Sequence, residues 1–405
     1  MQIDKGCEMS LEILYEKYSK ITSLQNATYR RYFFDTLDPK EKMIGIIGAR
    51  GTGKTTAILQ YLKSLQLPFE KTLYVSADSI SFGNMGLYEI ADLFAKGGGR
   101  VLAIDEIHKY KNFEYELKEI YDFLDLRVVF SGSSAMQIEH NKADLSRRAL
   151  LCRIEGLSFR EFLELKTGQN FSSYSLENIL SEHISIAHDI VQKVKPFEYL
   201  KEYVQNGYYP YYFENPKNYS FKLEETINTV IESDLPIIFN IEPQYIFKLK
   251  QFVSILCESE PYELNITELS KKIGINRTTL YQYIQYLSLG KVLYSLKAKT
   301  KSNTMFSKPN KLYLNNTNLL SSYCHTSTLG TLRELFFAMQ LRVHHKLNYP
   351  KKGDFLIDDY CTIEVGGKKK DYSQIKNIPN SFLAIDDIEI GYGNKIPLWL
   401  FGFLY

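Results

Sequence analysis

The chain has 405 residues and 44% apolar content, which suits about two to four globular domains with real cores and excludes a disordered chain. A formal net charge of +2 gives no overall polyanion-binding signature, so any contact with nucleic acid has to be local. Cys7, Cys152, Cys257, Cys324 and Cys361 are scattered, with no C-x-x-C spacing, which argues against a disulfide framework or a zinc site; with no apolar signal core at the start and no stretch long enough for a bilayer, the expectation is a reducing, cytoplasmic setting away from membranes.

Residues 1–40 read as helical, with Leu11, Leu14, Tyr15 and Tyr18 on one face. The apolar run Met43–Ile47 then predicts a buried strand. After it, Ala57, Ile58, Tyr61, Leu62 and Leu65 recur at helical spacing. Between strand and helix stands GARGTGKTT, where Gly48, Gly53, Lys54 and Thr55 fit G-x-x-x-x-G-K-[ST] in the context that defines a P-loop. Gly48, Ala49, Arg50, Gly51, Thr52, Gly53, Lys54, Thr55 and Thr56 are thus expected to cradle ATP. The glycines turn backbone N–H groups toward phosphate oxygens, the helix start adds its positive end, Lys54 reaches the β- and γ-phosphates and Thr55 ligates Mg²⁺.

Further strands and helices alternate over 72–130: Thr72–Ser76, Leu87–Ala95, Arg100–Ile104, Phe113–Leu124 and Arg127–Phe130. This is the rhythm of a doubly wound parallel sheet. RVLAIDEIHKY ends a strand on Asp105 and Glu106, the first placed to hold Mg²⁺ and the second to polarise the attacking water. RVVFSGSSA brings Ser131, Ser133 and Ser134 to the end of the next strand, where a polar sensor of the γ-phosphate belongs. Arg147 and Arg148 follow in a stretch that reads as helical; either is a candidate arginine finger, in cis or from a neighbouring subunit.

Residues 166–250 read as helical, interrupted at QNGYYPYYFENP, and are expected to form a lid over the nucleotide. ELNITELSKKIGINRTTLYQYIQYLSLGKVLYSLKAK then shows Ile266, Leu269 and Ile273, the turn Gly274–Asn276, and a second helix carrying Leu280, Ile284 and Leu287. Thr267 is placed to cap the first helix and Asn276 the second. With the strand VLYSLK after them, this is a winged helix-turn-helix pattern. Arg277, Thr278, Thr279, Tyr281 and Gln282 are candidates to enter a major groove. The tract Lys297, Lys299, Lys301, Lys308 and Lys311 suits phosphate contacts; a protein-contact role for the same segment stands beside this reading. The last hundred residues begin with a broadly apolar helix, TLRELFFAMQLRVH, and continue as strands in GDFLIDD, YCTIEVGGKKKDYSQI and SFLAIDD.

Together, IIGARGTGKTT, LAIDEIH, FSGSS, ADLSRRALLCRIEGLSFREFL and GYYPYY resemble a group of prokaryotic AAA+-type, STAND-like P-loop ATPases in which a winged helix and a C-terminal domain of unknown function follow the core. The resemblance implies an α/β fold: a P-loop NTPase parallel sheet over 1–165, a helical lid over 166–250, a winged helix-turn-helix over 251–300 and a C-terminal α+β restriction-endonuclease-like domain over 301–405. It implies ATP and Mg²⁺ as cofactors, with homo-oligomers among the expected assemblies. The nuclease-like fold places an acid on one strand and acid-x-Lys on the next. Asp354 and Glu364 supply the acids, and Glu334 can join from the preceding helix. The position two beyond Glu364 is Gly366, so the nearest lysine is Lys368, after two glycines expected to bend the strand. Three functions suit these residues: an ATPase switch acting on DNA or a protein partner, an ATP-gated metal-dependent DNA nuclease, and a nucleotide-dependent scaffold with little turnover. Asp105 and Glu106 favour the first, and the displaced lysine argues against the second.

Overall fold

A computed structural model of the chain describes residues 5–25, 27–78, 85–132, 145, 147–258, 265–299, 308–324 and 328–405; the expectations placed on Ser133, Ser134 and Lys301 lie outside these residues. The chain divides into two compact units, Met1–Glu155 and Gly156–Tyr405. The division falls before the boundary expected at 165, because the helix Phe159–Thr167 packs with the second unit.

In the first unit, helix α1 (Lys5–Leu24) precedes strand β1 (Met43–Ile47), helix α2 (Lys54–Ser64), β2 (Thr72–Ser76), α3 (Leu87–Lys96), β3 (Val101–Asp105), α4 (Phe113–Phe123), β4 (Arg127–Gly132) and β5 (Leu150–Arg153). The strands form one parallel sheet in the order β2-β3-β4-β1-β5. Parallel strands joined by helices are covered on both faces, which is why they read as continuous apolar runs. Successive side chains alternate between the faces. Ile47, Leu73, Leu102, Ile104, Val128 and Phe130 meet Leu87, Ile90, Phe94, Leu117 and Ile120 on one side. Ile44, Ile46, Tyr74, Val129 and Ile154 meet Ala57, Ile58, Tyr61, Leu62 and Phe33 on the other.

β5 corrects the helical reading of the segment that carries Arg147 and Arg148. These two arginines lie in a turn, and Leu150–Arg153 pairs with β1, Ile44 opposite Leu150. An edge strand of four residues, half-buried at Leu150 and Leu151, carries too short an apolar run to be told from a helix by periodicity.

The second unit begins with helices. Ser158 caps Phe159–Thr167 in a reciprocal capping box with Glu161. Helices Leu176–Lys193, Pro196–Asn206, Tyr219–Thr229 and Pro243–Glu258 follow, with short 3-10 turns at Pro210–Tyr212 and Pro216–Asn218. The aromatic interruption folds around one amide: Asn318 Oδ1 accepts from Tyr208 N at 2.8 Å and Tyr219 OH at 2.5 Å, and its Nδ2 donates to the carbonyls of Tyr203 and Val204. A disulfide joins Cys257 to Cys324, 67 residues on, a single bridge where the scattered cysteines argued against a disulfide framework. Connectivity of this kind is not encoded in cysteine spacing.

Helices Ile266–Ile273 and Arg277–Leu289 form a helix-turn-helix. Asn276 caps the second, accepting from Thr279 N at 2.8 Å, while the first is capped by Asn265 rather than Thr267. An antiparallel ribbon of β6 (Leu293–Leu296) and β7 (Lys311–Leu314) follows. The chain ends in a mixed sheet, β12-β11-β10-β9-β8, built from Leu347–Asn348, Phe355–Ile357, Cys361–Gly366, Ser381–Ile385 and Lys395–Pro397 as β8 to β12. Helix Leu329–Leu341 packs on β10. Among the described residues, no helix is long and apolar enough to cross a membrane.

Candidate functional site

β4 lies between β1 and β3, so the strand ends bring three short segments together. The loop Gly48–Gly53 leaves β1, Asp105 ends β3, and Ser131 stands on β4 between them. Gly51 (φ 84°) and Gly53 (φ 91°) adopt the left-handed conformation that the loop needs. Gly48 is held for a different reason: a Cβ there would meet the Ile154 carbonyl oxygen at 2.2 Å. Arg31, nine-tenths buried, braces the loop from behind, its Nη1 donating to Thr52 O at 3.0 Å and Glu155 O at 2.9 Å.

The cradle fits a polyphosphate. Helix α2 starts at Lys54 with glycine at its N-cap and no side chain capping it, so the first N–H groups and the positive helix end are directed at the loop. Lys54 is buried, and its Nζ donates to Ala49 O at 2.9 Å, folding the ammonium into the loop. Asp105 is buried and fully engaged. Its Oδ2 accepts from Thr55 Oγ1 at 2.6 Å and Tyr74 OH at 2.8 Å; its Oδ1 accepts from Ser131 Oγ and from Glu106 N at 3.1 Å. Ser131 Oγ also accepts from Glu106 N at 3.1 Å. Burial first, and then the Asp105 charge, push the Tyr74 phenol pKa well up, so it donates its proton and does not titrate. Glu106 is itself left-handed (φ 53°), unusual for a residue with a side chain, and its Oε2 lies 3.4 Å from His108 Nε2.

Other expected residues are placed elsewhere. Arg148 forms a bidentate pair with Asp122 of α4, at 3.0 and 2.9 Å, and Arg147 is exposed. Both precede β5 and therefore stand at the amino end of a parallel sheet whose phosphate loop is at the carboxyl end. Four strand residues separate the two ends by about 13 Å. Neither arginine therefore stands beside the phosphate loop of its own chain.

In the C-terminal sheet, the acids converge as expected but the lysine does not. Lys311 of β7 bridges Glu334 at 2.8 Å and Asp354 at 3.1 Å, and Tyr313 OH donates to the same Glu334 oxygen. Asp354 also accepts from Val365 N at 2.9 Å. Glu364, buried, pairs with Lys370, while Lys368 is exposed. The chain does curl after Gly366, but the turn closed by Lys370 N on Gly367 O returns Lys370, not Lys368, to the carboxylate. Burial first, then the neighbouring Asp354 charge, raise the pKa of both Glu334 and Glu364. Burial lowers the Lys311 pKa, but the two carboxylates outweigh it and the net is upward, so the ammonium stays charged.

The DNA-binding expectations are redistributed. Arg277 and Thr278 are exposed at the start of their helix, and Thr279, Tyr281 and Gln282 are half-buried. Lys308 is exposed, but Lys299 pairs with Asp359 at 3.0 Å, Lys311 is committed as above, and burial lowers the Lys297 pKa. Tyr74, His108, Arg31 and Lys370 escaped the sequence reading. His108, two residues from Glu106, and Lys370, two from Lys368, lay close enough to a motif to be found from it.

Residues 40–163 match a family model described as an AAA domain, and residues 197–330 match a domain of unknown function, DUF8612. An uncharacterized protein of Methanocaldococcus jannaschii is 25% identical over 417 residues, spanning 93% of this chain and 88% of its own. Among solved structures, AMPPCP-bound DnaA from Aquifex aeolicus aligns with 71% of this chain and 89% of its own, at 14% identity and a TM-score of 0.26. The S. cerevisiae Hsp104–ADP complex aligns with 64% of this chain and 37% of its own, at 16% identity and a TM-score of 0.28. Scores this low carry no weight for the fold of the whole chain.

Proposed function

Taking residues 40–163 as a P-loop domain of the AAA type, we propose that the chain binds Mg-ATP at Gly48–Thr56, hydrolyses it, and uses the cycle as a molecular switch on DNA or a protein partner through its C-terminal unit. The observation that supports this best is the 2.6 Å bond from Thr55 to Asp105, which joins the helix start of the phosphate loop to the acid on β3, with Glu106 next in the chain. Thr55 and Asp105 would hold Mg²⁺, which when bound neutralises charge on the phosphates. Lys54 leaves Ala49 O for the β- and γ-phosphate oxygens, and the N–H groups of Gly51 to Thr56 hold the rest of the chain of phosphates. Glu106 orients a water and accepts its proton as the water oxygen bonds to the γ-phosphorus and ADP leaves with the electron pair of the broken P–O bond. Ser131 keeps Asp105 and the Glu106 backbone in register.

Two variants test this reading, with phosphate release and binding of a fluorescent ATP analogue as readouts. Lys54→Ala is expected to lower turnover about a hundredfold or more, because it removes the main charge on the β- and γ-phosphates. Glu106→Gln is expected to bind nucleotide and to keep only a residual turnover. Unchanged hydrolysis in Lys54→Ala would sink the assignment; undiminished turnover in Glu106→Gln would take the base role from that residue.

A further inference from the structure

The chain just beyond Asp105 is shaped around Glu106. Its left-handed backbone (φ 53°, ψ 39°) is costly for a side chain larger than glycine and persists only where its surroundings impose it. Two groups do so from the amide side, Ser131 Oγ and Asp105 Oδ1. The 3-10 turn Ile107–Lys109 follows at once, closed by Lys109 N on Glu106 O at 2.9 Å, and it folds the second residue after Glu106 back onto the Glu106 carboxylate. That residue is His108. Its side chain is 3% exposed, behind a carboxylate that is 23% exposed, and Nε2 lies 3.4 Å from Oε2. Strained backbone at such a place is where function is to be sought, since an ordinary turn after a strand needs neither the left-handed glutamate nor a buried imidazole against it.

We propose that His108 is a positioning residue for Glu106: its buried imidazole, through Nε2 and Oε2, fixes the carboxylate in the orientation from which Glu106 activates the water that attacks ATP. The inference rests on the ATPase reading above and adds a residue to the same site. A glutamate carboxylate turns about three single bonds, so that without an anchor it reaches its water only part of the time. Anchoring one oxygen from the buried side removes that freedom and leaves the exposed side to the water. The loss of such anchoring acts on the chemical step and not on nucleotide binding, which Lys54 and the loop supply. The contact tightens once nucleotide closes the site, as catalytic contacts do.

The test compares wild type, His108→Ala, His108→Leu, His108→Gln and Glu106→Gln for kcat by phosphate release and for the dissociation constant of a fluorescent ATP analogue. His108→Ala and His108→Leu are expected to lose about tenfold or more in kcat with nucleotide affinity within about twofold of wild type. His108→Gln, which keeps a donor at similar reach, recovers most of the loss. In the Glu106→Gln background, His108→Ala lowers residual turnover no further, since the group it positions is already gone. Retained nucleotide binding shows that a variant is folded. The proposal is overturned if His108→Ala and His108→Leu turn over like wild type, if all three His108 variants lose nucleotide binding, if glutamine gives no rescue, or if the losses add in the double variant. Failure of the underlying reading looks different: wild type then releases no phosphate, or Lys54→Ala releases as much.

Discussion

At the scale of single residues, burial decides which groups titrate and which only donate. His183, on the helix Leu176–Lys193, is 4% exposed and lies against Gly391, near β12. Burial pushes its pKa below the usual 6.5, with the Leu180 carbonyl offsetting part of the shift. A histidine with a lowered pKa binds fewer protons folded than unfolded. As pH falls below about 6.5, the unfolded chain takes up a proton that the native state refuses, and stability drops by at most about 1.4 kcal/mol per pH unit for this one group. His183→Phe should therefore flatten the fall in urea midpoint between pH 7 and pH 5.5. An unchanged slope would show that His183 is not responsible. The contrast between what could and could not be read from sequence is also sharpest at this scale. Lys54, Thr55, Asp105 and Glu106 sit in contiguous motifs whose spacing carries their chemistry. Tyr74 reaches Asp105 from 31 positions away, and Arg31 reaches Glu155 from 124 away. Only the order of the strands in the sheet makes those pairs neighbours, and strand order leaves no local mark on a sequence.

At the scale of elements, the ribbon of β6 and β7 answers to two masters. It follows the helix pair as the expected winged-helix pattern requires, yet Lys311 clips β7 to Glu334 and Asp354. The lysines of this segment therefore differ in kind, although they look alike as a tract. If the segment binds DNA, Arg277 at the exposed start of its helix contacts phosphate, and Arg277→Ala should make the slope of log K against log salt shallower by about 1. Lys311→Met should leave that slope alone. It should instead destabilise the protein by up to about 3 kcal/mol, by leaving two partly buried carboxylates without their cation. No binding at low salt, or binding indifferent to salt, would favour a protein-contact role; a slope changed by Lys311→Met would contradict the clip. The elements themselves were legible wherever an apolar period ran for a full helix or a central strand. β5 and β8, four and two residues long, were not; β6 and β9 are as short but were legible within VLYSLK and GDFLIDD, where the flanking sequence marked a strand.

At the scale of the whole molecule, the sheet's polarity turns the arginine question into one about assembly. Arg147 is exposed at the amino end, and Arg148 is held by Asp122, a placement that favours the trans version of the finger over the cis one. Mixing Lys54→Ala protein with Arg147→Ala protein should restore part of a turnover that neither has alone, since some interfaces then join an intact loop to an intact arginine. A fully active monomer, or Arg147→Ala and Arg148→Ala variants that hydrolyse normally, would remove the finger from this pair. The two compact units divide after Glu155, and the expected boundary at 165 lies within the second. The run ALLCRIEGLSFREFL is continuous in character while its two halves pack in different units.

Gly48 ties the phosphate loop to the sheet on grounds separate from its chemistry. Its lack of a side chain is demanded by the Ile154 carbonyl behind it, before any phosphate enters. A descendant that had abandoned nucleotides, and with them Lys54 and Thr55, would still be obliged to keep this glycine for as long as β5 stayed beside β1. In a lineage drifting away from hydrolysis, the first glycine of the signature is therefore a fossil of the sheet.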